Sequence, residues 1–132
     1  MTRVFINGCF DVLHRGHLEL FQYAREIGAE VVVALDNDDK VRRDKGPSRP
    51  INKLCDRKFF ISKLIDVDKV VDFATKHDLE RLIEEMAPDI LIVGSDWREK
   101  EVVGAQYAKE VRFFERIDGY STTKIIQDIS SR

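Results

Sequence analysis

Asn7-Gly8-Cys9-Phe10-Asp11-Val12-Leu13-His14-Arg15-Gly16-His17 follows a short apolar run at 2–6 and leads into a segment where Leu18, Leu20, Phe21, Ala24 and Ile27 recur at helical spacing. The run reads as a buried strand and the segment as an amphipathic helix, so the quoted stretch is a strand-to-helix crossing. In open parallel sheets such a crossing lies at the carboxyl edge of the strands, where small ligands collect and the new helix turns unpaired amides toward anions. His14 and His17 are three apart, so both rings can project to one side of the first turn. Gly16 between them lets a phosphate approach the backbone closely. An imidazole offers an N–H to a phosphate oxygen, and a pair could stabilise charge building on a phosphorus centre. The competing reading makes His14 a cap or packing residue and His17 a surface residue.

The rest of the chain repeats the strand-then-helix alternation. Gly28 marks the end of the first helix, and 30–35 is a second apolar, β-branched run. After it, 40–50 carries five cations within ten residues (Lys40, Arg42, Arg43, Lys45 and Arg49), with a glycine and two prolines that predict a loop. Such a loop, just past a strand edge, would suit a mobile flap over a triphosphate. Asn52 can cap a helix over 53–65, with Leu54, Phe59, Ile61, Leu64 and Ile65 inward. A third strand is expected at 67–73 and a helix at 78–86, closed by Pro88. A fourth strand follows at 90–93, with the turn Gly94-Ser95-Asp96-Trp97 at its carboxyl end. Another helical piece begins at 102–105, a fifth strand occupies 111–114 and a final helix 122–129. Ser121 and Thr122 fall where that helix begins, so hydroxyls and unpaired amides again face an anion; simple capping by Ser121 uses the same geometry. This order predicts an α/β fold, a Rossmann-like, doubly wound, five-stranded parallel sheet in a single domain, with every motif at one sheet edge.

Composition narrows the function classes. In 132 residues, 43% are hydrophobic and 35% charged, with a net charge of −2, which leaves no basic footprint for nucleic acid. No apolar run is long enough to span a bilayer, and the amino terminus does not resemble a signal peptide. The two cysteines lack paired C-x-x-C spacing, which points to a reducing, cytoplasmic setting and away from structural zinc. Cys9 is expected to pack rather than to act as a nucleophile.

Gly8-Cys9-Phe10-Asp11-Val12-Leu13-His14-Arg15-Gly16-His17 resembles the G-x-F-D-x-x-H-x-G-H segment of the cytidylyltransferase-like nucleotidylyltransferases. A second stretch, Arg116-Ile117-Asp118-Gly119-Tyr120-Ser121-Thr122-Thr123-Lys124-Ile125, resembles their R-T-x-G-x-S-T-[ST]-x-I segment. Members join a nucleoside triphosphate to a small phosphorylated alcohol or sugar and release pyrophosphate. The resemblance implies that His14 and His17 contact the transferring phosphate, that Lys45 and Arg116 neutralise the triphosphate, and that Ser121 and Thr122 hold its β and γ groups. Gly8, Cys9, Phe10, Gly16, Asp96 and Gly119 would line the nucleotide site. Asp11 would orient the acceptor or help to place Mg²⁺ held mostly by phosphates and water, with no metal site made by the protein alone. Arg57 would face the nucleotide phosphates, an ordinary surface cation being the alternative. A homodimer is implied too.

Two branches of the family compete for this chain. The stretches 45–52, 101–105 and 119–123 look most like the branch that adenylylates heptose 1-phosphate, which is the preferred reading. Arg116 with Asp118 and the short chain look more like the branch that makes CDP-glycerol from CTP and glycerol 3-phosphate. A non-catalytic nucleotide-binding module is the alternative of another class.

Overall fold

The computed structural model describes residues 2–115 and 119–132. Its organising strand is β1 (Arg3–Gly8), whose Val4, Phe5 and Ile6 are essentially inaccessible to water. Neighbouring strands pair with it on both sides: β2 (Glu30–Asp36) through Phe5 opposite Val32, and β4 (Ile90–Gly94) through Phe5 opposite Leu91. With β3 (Lys69–Phe73) beyond β2 and β5 (Glu110–Phe114) beyond β4, the order is β3-β2-β1-β4-β5, and every pairing is parallel.

Because side chains alternate along a strand, the sheet has two apolar faces, and each needs cover. Val4, Ile6, Val31, Val33, Leu35, Ile90 and Ile92 share one core with Phe21 and Ala24 of α1 (Arg15–Ile27) and Ile61 of α3 (Leu54–Ser62). Phe5, Val32, Ala34 and Leu91 share the other with Leu79 and Ile83 of α4 (Lys76–Met86). The final helix, α5, is Thr122–Ser130. The chain winds outward from β1 to β3, then crosses back to start β4 on the other side of β1. The ligand crevice of such a sheet lies at that reversal, outside the carboxyl ends of β1 and β4.

Three expectations needed correction. Residues 40–45, expected as part of a loop, belong to α2 (Asp38–Lys45). Asn37 caps it by accepting from the Lys40 N–H at 2.9 Å, and acids in its first turn and bases in its last complement the helix dipole. Lys40 pairs with Asp44 one turn on, and Gly46, at φ 106, stops the helix where a side chain would be strained. Only 46–52 remains as the loop.

The helix expected at 53–65 ends at Ser62, whose hydroxyl donates to the Phe59 carbonyl. The chain then descends through successive three-residue turns to Asp68, whose carboxylate accepts from the Val31 N–H and from Arg25. Phe59 and Ile65 consequently point outward, and Asn52 does not cap the helix. Between β4 and β5, where a helical piece was expected, there are only the short 3-10 turns Ser95–Trp97 and Ala105–Tyr107.

Candidate active site

At the carboxyl edge of the sheet a cavity of about 330 Å³ opens over the ends of β1 and β4. Its volume falls within the range of small-ligand clefts. Phe10 turns the chain out of β1 with a left-handed backbone (φ 50), an uncommon conformation for a non-glycine residue. Its ring packs over Gly8, edge-on to His17 at 5.1 Å and against Phe21 at 5.1 Å, so the core holds the bend in place.

The two histidines form the capping box of α1. Nδ1 of His14 accepts from the Gly16 N–H at 3.1 Å, and Nδ1 of His17 accepts from the His14 N–H at 3.3 Å. With Nδ1 an acceptor in both rings, the proton of each neutral imidazole sits on Nε2, and the remaining N–H of each is a donor for a ligand. The rings stack at 3.8 Å, and both line the cavity. A Cβ at position 16 would come within 2.9 Å of the His14 ring, so glycine is what lets that ring fold back as a cap.

Burial, with the nearby His14, drives the His17 pKa down to about 3, and burial lowers that of His14 as well. The pair is therefore neutral at pH 7. Above pH ~6.5 neither the folded nor the unfolded chain protonates these rings. On acidification the unfolded chain takes the proton first, so it binds more protons than the folded chain down to about pH 3 for His17, and stability falls with pH across that window. Urea unfolding from pH 7 to pH 4.5 should show a decline of up to ~1.4 kcal/mol per pH unit from this group. His17→Gln should flatten the decline, and a profile already flat in the wild type would contradict the burial of the ring.

Asp11 lines the cavity with its carboxylate already hydrogen-bonded within the protein. Its carboxylate is fully enclosed and accepts from Arg49 Nε at 2.9 Å, the Ile51 N–H at 2.8 Å and the Asn52 N–H at 2.8 Å. Burial pushes its pKa up, but those two amides and the guanidinium outweigh it and hold the carboxyl below its usual range. Asn52 Nδ2 returns a bond to the Asp11 carbonyl at 2.7 Å. Asp11 thus anchors the 46–52 loop to the β1–α1 crossing, and its oxygens are already occupied by donors.

Arg57 is neither in the cavity wall nor on the surface. It is 1% exposed and lies beneath the site, donating to the carbonyls of Asn52, Cys9 and Asp36 at 2.8–3.0 Å and to Asp38 Oδ1 at 2.8 Å. It joins the end of β2, the β1–α1 crossing and the loop.

The opposite wall is the start of α5. Ser121 caps it by accepting from the Lys124 N–H at 3.0 Å, and Thr122 Oγ1 donates to the Val12 carbonyl at 2.8 Å. The second bond ties together two stretches 110 residues apart in sequence. Tyr120 stacks on His14 at 6.2 Å.

Gly8, Cys9, Phe10, Asp11, His14, Gly16, His17, Lys45, Ser121 and Thr122 all line the cavity. Gly119, Arg57 and Asp96 do not: Asp96 lies outside it on the exposed turn after β4, and Gly94 alone represents that turn. Arg116 lies outside the described residues. Arg49, Asn7 and Thr123 line the cavity without having been singled out. Arg49 was visible in sequence only as one of five loop cations. No cluster of three or more His, Cys, Asp or Glu able to hold a metal occurs among the described residues.

Comparison with known proteins agrees with this geometry. The family model described as Cytidylyltransferase-like matches residues 5–128. The chain is 48% identical over 126 residues to the bifunctional protein HldE of Helicobacter hepaticus, covering 96% of this chain and 26% of that protein. It is 45% identical over 128 residues to HldE of Nitratiruptor sp., covering 97% and 28%. The chain thus spans about a quarter of the length of these curated relatives. Among solved structures, the lipopolysaccharide core biosynthesis protein of Thermoplasma volcanium superposes with a TM-score of 0.74 at 29% identity, covering 89% of this chain and 99% of that one. Paired histidines at the start of α1, a second helix start facing them and a family match over nearly the whole length agree: the chain belongs to the cytidylyltransferase-like family of nucleotidyltransferases.

Proposed function

We propose that this domain transfers an adenylyl group from ATP to the phosphate of a small phosphorylated sugar of the heptose 1-phosphate kind, giving an ADP-sugar and pyrophosphate. The observation that carries this reading is the meeting of the His14–His17 pair and the α5 start in one cavity, joined by the Thr122–Val12 bond. An acceptor phosphate oxygen attacks the α-phosphorus in line, the α–β bridging bond breaks, and its electron pair leaves with pyrophosphate. The attacking oxygen is already anionic, so positioning and charge stabilisation suffice. A protein nucleophile is not needed, and burial pushes the Cys9 thiol up, away from the thiolate form.

The Nε2–H groups of His14 and His17 donate to the transferring phosphate, Lys45 neutralises oxygens from the rim, and the hydroxyls and amides of Ser121 and Thr122 take the departing phosphates. Arg116 joins Lys45 in this reading on the family motif alone. With the Asp11 carboxylate accepting three protein donors and no carboxylate cage among the described residues, the donor set fits Mg²⁺ carried on the triphosphate. That ion would supply charge neutralisation on the leaving group.

A sugar is preferred over glycerol because of the resemblance in the 45–52 loop and the likeness to a lipopolysaccharide core biosynthesis protein. Assembly as a homodimer is part of the proposal on the family resemblance and is tested by sedimentation equilibrium. A cytoplasmic setting is proposed on the sequence; no helix among the described residues is long and apolar enough to cross a membrane. Pyrophosphate release is the deciding measurement, with ATP or CTP offered alongside heptose 1-phosphate or glycerol 3-phosphate. Release with ATP and the sugar phosphate is expected. Release only with CTP and glycerol 3-phosphate would overturn the substrate assignment, and nucleotide binding without release under any pairing would make this a binding module.

A further inference from the structure

Arg49 stands in the cavity wall with one of its three nitrogens committed. Nε donates to Asp11 Oδ2 at 2.9 Å, while Nη1 and Nη2 make no hydrogen bond among the described residues, and only 11% of the side chain is exposed. Asp11 is itself held by two backbone amides, and Arg57 fixes the carbonyls of Cys9 and Asn52 beneath, so the plane of the Arg49 guanidinium is set in advance. A guanidinium fixed through Nε presents its two Nη groups as a fork that matches two oxygens of a phosphate monoester.

The strand order gives the fork a place in the reaction. Arg49 follows β2, on one side of β1, whereas α5 follows β5, beyond β4 on the other side, and the histidines stand between at the end of β1. In an in-line displacement the attacking and leaving oxygens are on opposite sides of the phosphorus. With pyrophosphate leaving toward the α5 start, the attacking phosphate comes from the side of Arg49.

Resting on the transfer reading above, we propose that Arg49 is the clamp for the acceptor's phosphate monoester, a second anion site distinct from that of the triphosphate. Asp11 is then a positioning residue that acts through Arg49.

Arg49→Gln keeps a donor for Asp11 but loses the charge and the fork; Arg49→Lys keeps the charge alone. With Gln, KM for the sugar phosphate should rise about 30-fold or more, with Lys less, while KM for ATP stays within about twofold. The melting temperature should fall with Gln, because the enclosed Asp11 carboxylate loses its countercharge, and less with Lys. Both KM values rising together would make Arg49 a strut of the loop and overturn the proposal, as would an unchanged acceptor KM. Calorimetric titration of inorganic phosphate into protein saturated with the α,β-methylene analogue of ATP tests the clamp without turnover. Wild type should bind and Arg49→Gln should not; equal binding, or none in the wild type, overturns it. A wild type that binds phosphate but transfers nothing would instead sink the transfer reading and leave the clamp standing.

Discussion

His17→Ala is expected to lower kcat by about 10²–10³-fold while the protein keeps its fold and binds ATP nearly as well. Nδ1 of this ring is held by the His14 N–H, so its Nε2–H is a fixed donor that needs no reorganisation as charge develops on the phosphate. A donor aimed at developing charge acts mainly in the transition state, so its loss appears in kcat rather than in KM. The stability loss should be about 1 kcal/mol, because the capping bond it makes is 3.3 Å long and the ring's burial already opposes protonation. His14→Ala should lose activity too but be less stable, since it removes the N-cap of α1 and leaves the Gly16 amide without its partner. The double variant should be scarcely slower than the worse single one, because stacked rings serving one phosphate act as a unit. A folded His17→Ala protein with kcat within threefold of wild type would remove the pair from the chemistry.

How much of this was legible in sequence depended on how far apart the interacting partners lie. The five strands follow from local apolar patterning and the parallel sheet from strand–helix alternation, both read correctly to within a few residues, whereas of the apolar residues expected on the α1 face Leu18 is exposed. The helix α2 was missed because Gly46, Pro47 and Pro50 dominate the reading of 40–50, although all three lie beyond its end. Its cap, Asn37, and its Lys40–Asp44 pair were there to be seen. The histidine spacing showed that both rings can share one side of a turn, but not that each Nδ1 would be used on the helix's own amides, which fixes the tautomer. Asp11 and Arg57 were read from the family's motifs as ligand contacts. The donors to Asp11 lie 38 to 41 residues away, and the acceptors of Arg57 are scattered from 5 to 48 residues away, so only tertiary structure shows that these groups already engage one another. Arg49 was hidden for the same reason: among five cations, nothing local distinguishes the one held by a buried carboxylate.

Arg57→Ala should be the most destabilising of these changes, at about 3–5 kcal/mol against a total of about 5–15 kcal/mol for a domain of this kind. Removing the guanidinium takes the donor from the buried Asp36 carbonyl and from the half-buried Cys9 and Asn52 carbonyls, and an orphaned buried acceptor costs about 1–3 kcal/mol before relaxation; Asp38 Oδ1 loses one of its two donors. Asp38 Oδ1 also accepts from the Leu54 N–H at 2.9 Å, so the start of α3 loosens with it. Arg57→Lys should recover little, because one ammonium cannot reach acceptors spread over the end of β2, the β1–α1 crossing and the loop. Urea unfolding at pH 7.5 reads the stability, and KM for ATP and for the acceptor, taken where each variant is folded, reads the site. If Arg57 is a strut, the midpoint drops sharply in both variants, and whatever activity survives is impaired toward the acceptor, because the Cys9 and Asn52 carbonyls flank the Asp11–Arg49 pair. If instead the midpoint moves by less than about 1 kcal/mol in free-energy terms while KM for ATP climbs, the guanidinium faces the nucleotide in solution, as the family resemblance implies, and the buried carbonyl cluster is not what holds this side of the cavity together.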